Sequence, residues 1–423
     1  MYLRVLPAQN PEGNPVVRFS LTDEMIDVHS DAPQPDQKID GEPTAVVRAF
    51  PMQRSRHDRP TAKIVALVPA YNESATIADT IRALRRQWSP PIDRIVVVPN
   101  NCTDDTAQIA AAAGADVHEF PGHNPHRKAG ALNWAISNLL PGLADDDFLL
   151  VTDADSVLHP DFTQHAVRAL TRPRAGHRWR RPVGAACASF HTSRSGTTLL
   201  DRLQRNEYAR FARQVARRMD KALVLSGVAT LIQVRVIRDV LIARGQGRLP
   251  GYRGELYHRD TATEDIELTF AVRALGYRPM APSKATAITE SMPTWKALKD
   301  QRIRWQRGML DSLRLYGMNR RTFGTWARQV AIYTGSLLVP AYLAFLALFL
   351  AVTGSLPFDA RWLPLTGLFF VERVWTVRTG RPGDIALAAS MLPEWLFEQW
   401  RAGVYWLAAW KTVRGADREW INH

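Results

Sequence analysis

The strongest constraint on folding begins at Ala62. From there, β-branched apolar runs alternate with helix-period segments at short spacing. "KIVALVPA" (63–70), "DRIVVVPN" (93–100), "ADVHEF" (115–120) and "DFLLVTD" (147–153) read as strands. Between them, "SATIADTIRALRRQ" places Ile77, Ile81 and Leu84 on one helical face. "TDDTAQIAAAAG" reads as a helix with Thr103 as N-cap and Gly114 as stop, and "HRKAGALNWAISNLL" as a third helix. Strands this apolar are covered on both faces, so the alternation predicts an α/β fold with a doubly wound, mostly parallel sheet. Ligands of such sheets bind at the carboxyl ends of the strands.

What surrounds this core differs at each end. Residues 1–60 are polar and mixed, and read as an arm of low order with a little structure near "VVRF". "MYLRVLPAQN" lacks the apolar run of a signal peptide. After Leu170 come a basic loop, "TRPRAGHRWRRP", and a strand, "VGAACASF". "LLDRLQRNEYARFARQVARRM" sets Leu200, Leu203, Phe211 and Val215 against many arginines. That helix either lies on a membrane surface or packs on the core with its arginines in water.

The C-terminal third is apolar. Val330–Gly354 carries no charge and is long enough to cross a bilayer. "WLPLTGLFFVERVW" reads as a second span, and Ile385–Trp410, with Glu394, Glu398 and Arg401, as interfacial or re-entrant. Arg320, Arg321, Arg328, Arg378, Arg381, Lys411 and Arg414 bracket the set, which places both ends of it on the cytoplasmic side. The expected division is an arm (1–60), a catalytic α/β domain (61–320) and C-terminal helices (321–423).

Charge and cysteine content narrow the classes. The 423 residues carry a formal charge of +13, which suits nucleic acid, an anionic membrane surface, a phosphorylated substrate or a merely basic surface. The two cysteines, Cys102 and Cys187, make neither a disulfide framework nor a metal cluster and fit a reducing compartment.

The residues that follow the strands carry the chemistry. "VPAYNES" ends the first strand, and Asn72, Glu73 and Ser74 there suit a helix cap or a ligand. "KAGALN" sets Lys128 beside a glycine at a helix start, which suits a phosphate or leaves a solvated lysine. "TDADS" gives two carboxylates, Asp153 and Asp155, one residue apart: an Asp-rich turn, or a site for Mg2+ or Mn2+. "TATEDIEL" puts Glu264 and Asp265 at a helix start, where they complement the helix dipole or supply a general base. "QRIRW" aligns Gln301, Arg304 and Trp305 on one helical face, with a forked phosphate donor and an aromatic platform.

Singly each motif has a plain structural explanation; their order is distinctive. The chain resembles the family 2 glycosyltransferases of the processive, membrane-bound kind, such as cellulose, hyaluronan and poly-N-acetylglucosamine synthases, over roughly Ala62 to Gly317. The resemblance implies a GT-A fold, a nucleotide-diphosphate sugar donor, UDP-linked in the nearest reading, and inversion at the anomeric carbon. By position it implies that Ala70, Tyr71 and Glu73 line the nucleotide pocket. Asn100 stands where relatives often have an aspartate that contacts the base. Lys128 and Asp153 would meet the nucleotide, and Asp155, with Asp153, the Mn2+ or Mg2+. Asp265 would be the base, with Glu264 beside it. Gln301 and Arg304 would hold the diphosphate, and Trp305 and Gly227 would shape the acceptor site. The acceptor would be a glycan, lipid or protein hydroxyl, and the enzyme membrane-associated with its catalytic domain facing the cytoplasm. A transferase that adds one or few sugars is the alternative within the family. A basic nucleic-acid-binding protein is the alternative outside it; it explains the arginines but not acids at strand ends, and no nucleic acid is expected as a partner.

Overall fold

The computed structural model describes residues 2–9, 15–22, 46–47, 62–171, 181–193, 196–355 and 359–415. Most of the basic loop read at 171–182 lies outside them. Two compact units are present, Met1–Thr61 and Ala62–His423. In the first, β1 (Tyr2–Gln9) pairs antiparallel with β2 (Pro15–Thr22) along its whole length and with β3 (Val46–Val47). More of this segment is ordered into strands than its mixed composition suggests. β2 is rich in β-branched and aromatic residues, which suit a strand.

The second unit holds β4 (Ile64–Ala70), α1 (Ile77–Arg85), β5 (Arg94–Pro99), α2 (Thr106–Ala112), β6 (Asp116–Val117), α3 (Arg127–Leu139), β7 (Phe148–Thr152), β8 (Val157–Leu158) and α4 (Phe162–Thr171). It continues with β9 (Val183–Cys187), β10 (Ser189–Thr192), α5 (Leu199–Arg217), β11 (Ala229–Gln233), α6 (Val234–Gly245), α7 (Glu264–Ala274), β12 (Arg278–Met280), β13 (Thr286–Thr289) and α8 (Trp295–Tyr316). Seven strands form one sheet in the order β12-β9-β11-β7-β4-β5-β6. Alternate residues of β4 face opposite cores, as a period of two requires. Val65 and Leu67 pack towards α3, α6 and α7, whereas Ile64, Ala66 and Val68 pack towards α1 and α4. Each such buried Val, Leu or Ile contributes about 2 kcal/mol. The sheet is mostly parallel, with β11 running antiparallel between β7 and β9. A small sheet, β10-β13-β8, lies beside it.

Some local expectations shift. Thr103 is not the cap of α2. Its amide donates to Asn72 Oδ1 (2.8 Å), while Asp104 accepts from the backbone of Thr106 (3.2 Å) and of Ser74 (3.1 Å). A carboxylate that satisfies two loops at once outcompetes a hydroxyl. Gly114 does end α2, with φ +85°. The strand expected at 115–120 pairs only over Asp116–Val117. "VGAACASF" divides between two sheets at Ala188.

The C-terminal helices are α9 (Phe323–Thr353), α10 (Leu363–Val377), α11 (Pro382–Ser390) and α12 (Leu392–Val413). Among the described residues one helix, α9, is long and apolar enough to cross a membrane; its most apolar window has mean hydropathy 2.2. The 15 residues of α10 reach only about 22 Å, short of a hydrocarbon core. Both helices expose apolar side chains, among them Leu338, Leu348, Leu368 and Phe369. Two arginines of α5 are not left to water. Arg205 forks onto Asp384 of α11 (3.0 and 2.9 Å), and Arg210 meets Glu394 of α12 (2.6 Å).

Candidate active site

Three parallel strands, β5, β4 and β7, end together, and the loops that leave them form one wall of a cleft of about 1430 Å³. Helices α5, α8, α9, α10 and α12 contribute to the rest. The residues to which the resemblance gives a role all line this cleft: Ala70, Tyr71, Glu73, Asn100, Lys128, Asp153, Asp155, Gly227, Glu264, Asp265, Gln301, Arg304 and Trp305; Asn72 and Ser74 instead tie the loop to Thr103 and Asp104.

The acidic centre is held tightly. Thr152 Oγ1 donates to the Val228 carbonyl (2.6 Å), and Thr80 Oγ1 of α1 donates to the Ala154 carbonyl (2.7 Å). Because β11 runs antiparallel to β7, Gly227, two residues before it, comes alongside Asp153. The Asp153 amide donates to the Gly227 carbonyl (3.1 Å), and the Gly227 amide donates to Asp265 Oδ2 (3.1 Å). One glycine therefore joins the two acids. A Cβ at Gly227 would stand 2.9 Å from Lys128 Nζ and 3.2 Å from Asp153 Oδ2, so no side chain fits there without displacing both.

Lys128 Nζ bridges Asp153 Oδ1 (2.6 Å) and Glu264 Oε1 (2.8 Å). Burial opposes its charge, but Asp153, Glu264 and Asp265 together hold the ammonium well above its usual pKa. Glu264 is buried too, and Lys128 outweighs that burial to keep its carboxyl below the ordinary value. Asp265 behaves oppositely. Burial, then the Glu264 charge, push its carboxyl up to about 6, although the Ile266 amide donates to it (2.8 Å). Two adjacent acids thus have opposite proton affinities, because only one of them owns the lysine. Asp155 is raised to about 7 by burial and by the charges of Asp153 and Glu73. Burial also raises Glu73, whose carboxylate accepts from Thr76 Oγ1 (2.7 Å).

Other expected residues have plainer work. Asn100 Nδ2 donates to the Ala70 carbonyl (2.9 Å), and its Oδ1 accepts from Asn124 (3.3 Å). A carboxylate could not make the first bond, which accounts for an amide here. The glycine of "KAGALN" is likewise explained by packing. A Cβ at Gly130 would come 2.3 Å from Asn124 Oδ1. Asn124 also accepts from the His126 amide (3.0 Å) and so shapes the turn into α3, where Arg127 has φ +51°. Sequence reading missed Asn124; its one signal was Asn-Pro ahead of a helix start.

Across the cleft, α8 presents Gln301, Arg304 and Trp305. Arg302, between them, is buried and joins Glu207 of α5 (2.7 Å), which also takes Arg401 of α12 (2.8 Å). None of these three was singled out as a site residue, since their partners lie far apart in the chain. The α8 backbone approaches the loop before α7 at Gly308, where a Cβ would meet Thr263 Oγ1 at 1.8 Å. Among the described residues no three His, Cys, Asp or Glu side chains gather as a ready-made cation cage.

A family model for "glycosyltransferase like family 2" matches residues 60–308. The poly-beta-1,6-N-acetyl-D-glucosamine synthase of Staphylococcus aureus is 26% identical over 256 residues, which cover 58% of this chain and 54% of that protein. The probable glycosyltransferase YdaM of Bacillus subtilis is 26% identical over 258 residues, covering 58% and 55%. The chain spans about half the length of these curated relatives. The mannosyltransferase PcManGT of Pyrobaculum calidifontis, solved in complex with GDP-Man and Mn2+, superposes with a TM-score of 0.54 at 20% identity, covering 85% of this chain and 89% of that one. Identity that low speaks to fold alone, and the fold is of the GT-A kind. With more than half of its length matched, this chain belongs to glycosyltransferase family 2.

Proposed function

We propose that the enzyme moves a sugar from a nucleoside-diphosphate donor, in the first instance a UDP-sugar, to a hydroxyl of a glycan, lipid or protein, with inversion. The observation that carries this reading is the Gly227 bridge. It sets a carboxyl with a pKa of about 6 next to an acid–lysine cluster at the strand ends. An inverting displacement needs one base on the face opposite the leaving group. Asp265 fits that task, since a base works best when its pKa is near the working pH. Glu264 is held charged by Lys128 and serves to fix the lysine. Lys128 and Arg304 would face the diphosphate, whose charge grows as the glycosidic bond breaks. Ala70, Tyr71 and Glu73 would receive the nucleotide, with Asn100 shaping the floor.

The donor set also fits a hard divalent cation. Asp155 is crowded by the like charges of Asp153, Glu73 and Glu290, and a cation would relieve that crowding. Mn2+ or Mg2+ at Asp155, with Asp153, would take its remaining oxygens from phosphate and water and neutralise the leaving group. The apolar faces of α9 and α10 support membrane association, and the flanking arginines support a cytoplasmic catalytic domain. Binding of nucleic acid loses support, because Arg205 and Arg210 of the arginine-rich stretch are spent on Asp384 and Glu394.

The test is a screen of nucleotide sugars with Mn2+ on the detergent-purified protein, following release of the nucleoside diphosphate. Release that disappears in Asp265→Asn is expected. No release from any donor, or release indifferent to that substitution, would reject the mechanism.

A further inference from the structure

Trp305 is held from behind by a guanidinium. The Arg302 Cζ lies 4.4 Å from the Trp305 ring centroid and 5.6 Å from that of Tyr208. Arg302 Nη1 donates to Gln301 Oε1, so one side chain touches two of the three residues that α8 presents to the cleft. Arg302 is itself 1% exposed, and its Nη2 donates to Glu207 Oε2 (2.7 Å). The other Glu207 oxygen accepts from Arg401 Nη1 (2.8 Å). The row Trp305–Arg302–Glu207–Arg401 thus crosses three helices, α8, α5 and α12.

A buried Arg–Glu–Arg triad is a poor device for stability alone, since well-packed apolar residues often replace one without loss. Arg302 also leaves its buried Nε without a partner, a further cost that tighter apolar packing would avoid. What such a triad does well is define register. Here one guanidinium meets each oxygen of Glu207, and a one-turn slip of α8 breaks the Arg302 contact.

We propose that Glu207, with Arg302 and Arg401, positions Trp305 and Gln301 for the acceptor, so that α12 governs the acceptor half of the site. This rests on the reading above that Trp305 faces the acceptor. These are positioning residues; Asp265 and Lys128 sit on the opposite wall and do not depend on them. Glu207 stays charged because the two guanidinium groups outweigh its burial and hold its carboxyl below the ordinary range.

Two measurements on the full-length protein in detergent test this. In the first, 5-fluorotryptophan is incorporated and the Trp305 resonance among the 13 tryptophans is identified by its loss in Trp305→Phe. Glu207→Gln and Arg401→Gln should each shift or broaden that resonance and leave most others in place; Arg401→Lys should restore part of it. An unmoved Trp305 signal in both Gln variants overturns the proposal whether or not the enzyme turns over. In the second, with the donor that the wild type accepts in the screen, Glu207→Gln should lower kcat at least tenfold while the donor KM stays within threefold. A rise in donor KM with kcat kept, or a kcat loss matched by loss of folded protein, also overturns it. A wild type that accepts no donor rejects the proposed function, and the fluorine spectrum then decides the positioning role by itself.

Discussion

The two walls of the cleft are built by different rules. On the strand wall, Asp153 and Asp155 follow β7 and Lys128 opens α3, within a short stretch of chain, and neighbouring backbone and carboxylates hold them. On the helix wall, Arg302, Glu207 and Arg401 meet across separations of 95 and 194 residues. The strand wall places charge on a rigid sheet and leaves some of it uncompensated: Asp155 and Asp265 are both strained towards protonation. The helix wall compensates its acids fully, with Arg205 on Asp384, Arg210 and Arg373 on Glu394, and two arginines on Glu207. Uncompensated charge suits a wall that receives a ligand, as proposed above, and compensated charge suits one that supports it.

Substitutions on each wall should therefore fail differently. The largest effect belongs to Asp265→Asn, which should cost about 1000-fold in kcat while leaving the unfolding midpoint unchanged or slightly raised, since it removes a buried charge. A thermal melt and an initial-rate assay check both halves, and a lowered midpoint would show the strand wall to be structural as well. Asp155→Ala should cost about 100-fold or more and abolish the response to added Mn2+ after chelation. Turnover that survives the chelator would remove the cation from the reading.

On the other wall, Glu394→Gln leaves Arg210 and Arg373 facing a neutral amide. It should lower stability by about 3 kcal/mol, read from denaturant unfolding in detergent, with kcat of the folded fraction changed only a few-fold. If activity fell before stability did, the division between the walls would blur. Gly308→Ala lies where the walls touch, and its Cβ overlaps Thr263 Oγ1. A cost of about 2 kcal/mol is expected, together with reduced activity. The smallest effect is that of pH. With Asp265 at about 6, the rate should rise roughly tenfold per pH unit below that value and level off above it. Its stability contribution has the opposite sense. The folded protein holds this proton from about pH 4 to 6 while the unfolded chain releases it, so the contribution is complete below about pH 4 and is lost as pH rises through 6.

The strand wall was legible in the sequence because its signals are local. A strand of alternate facings followed by "DAD", or a helix opening on "KAG", can be read within a dozen residues. Even there some residues have a local reason that spacing did not show: Gly130 makes room for Asn124, and Asn100 ties a loop. The helix wall was not legible. Glu394, Glu398 and Arg401 stood out as charges among aromatics and read as interfacial, since their partners on α5 and α10 cannot be paired by spacing. The arginines of α5 read as a surface face for the same reason. The second span failed on length, as α10 stops at Val377 after 15 residues.

The contact at Gly308 bears on spacing. The α8 backbone at Gly308 lies directly against the Thr263 side chain, with no room for another carbon between α8 and the residue before Glu264 and Asp265. The Gly308 contact thus fixes the spacing between α8 and the start of α7, while Gly227 fixes Asp265 to the strand ends.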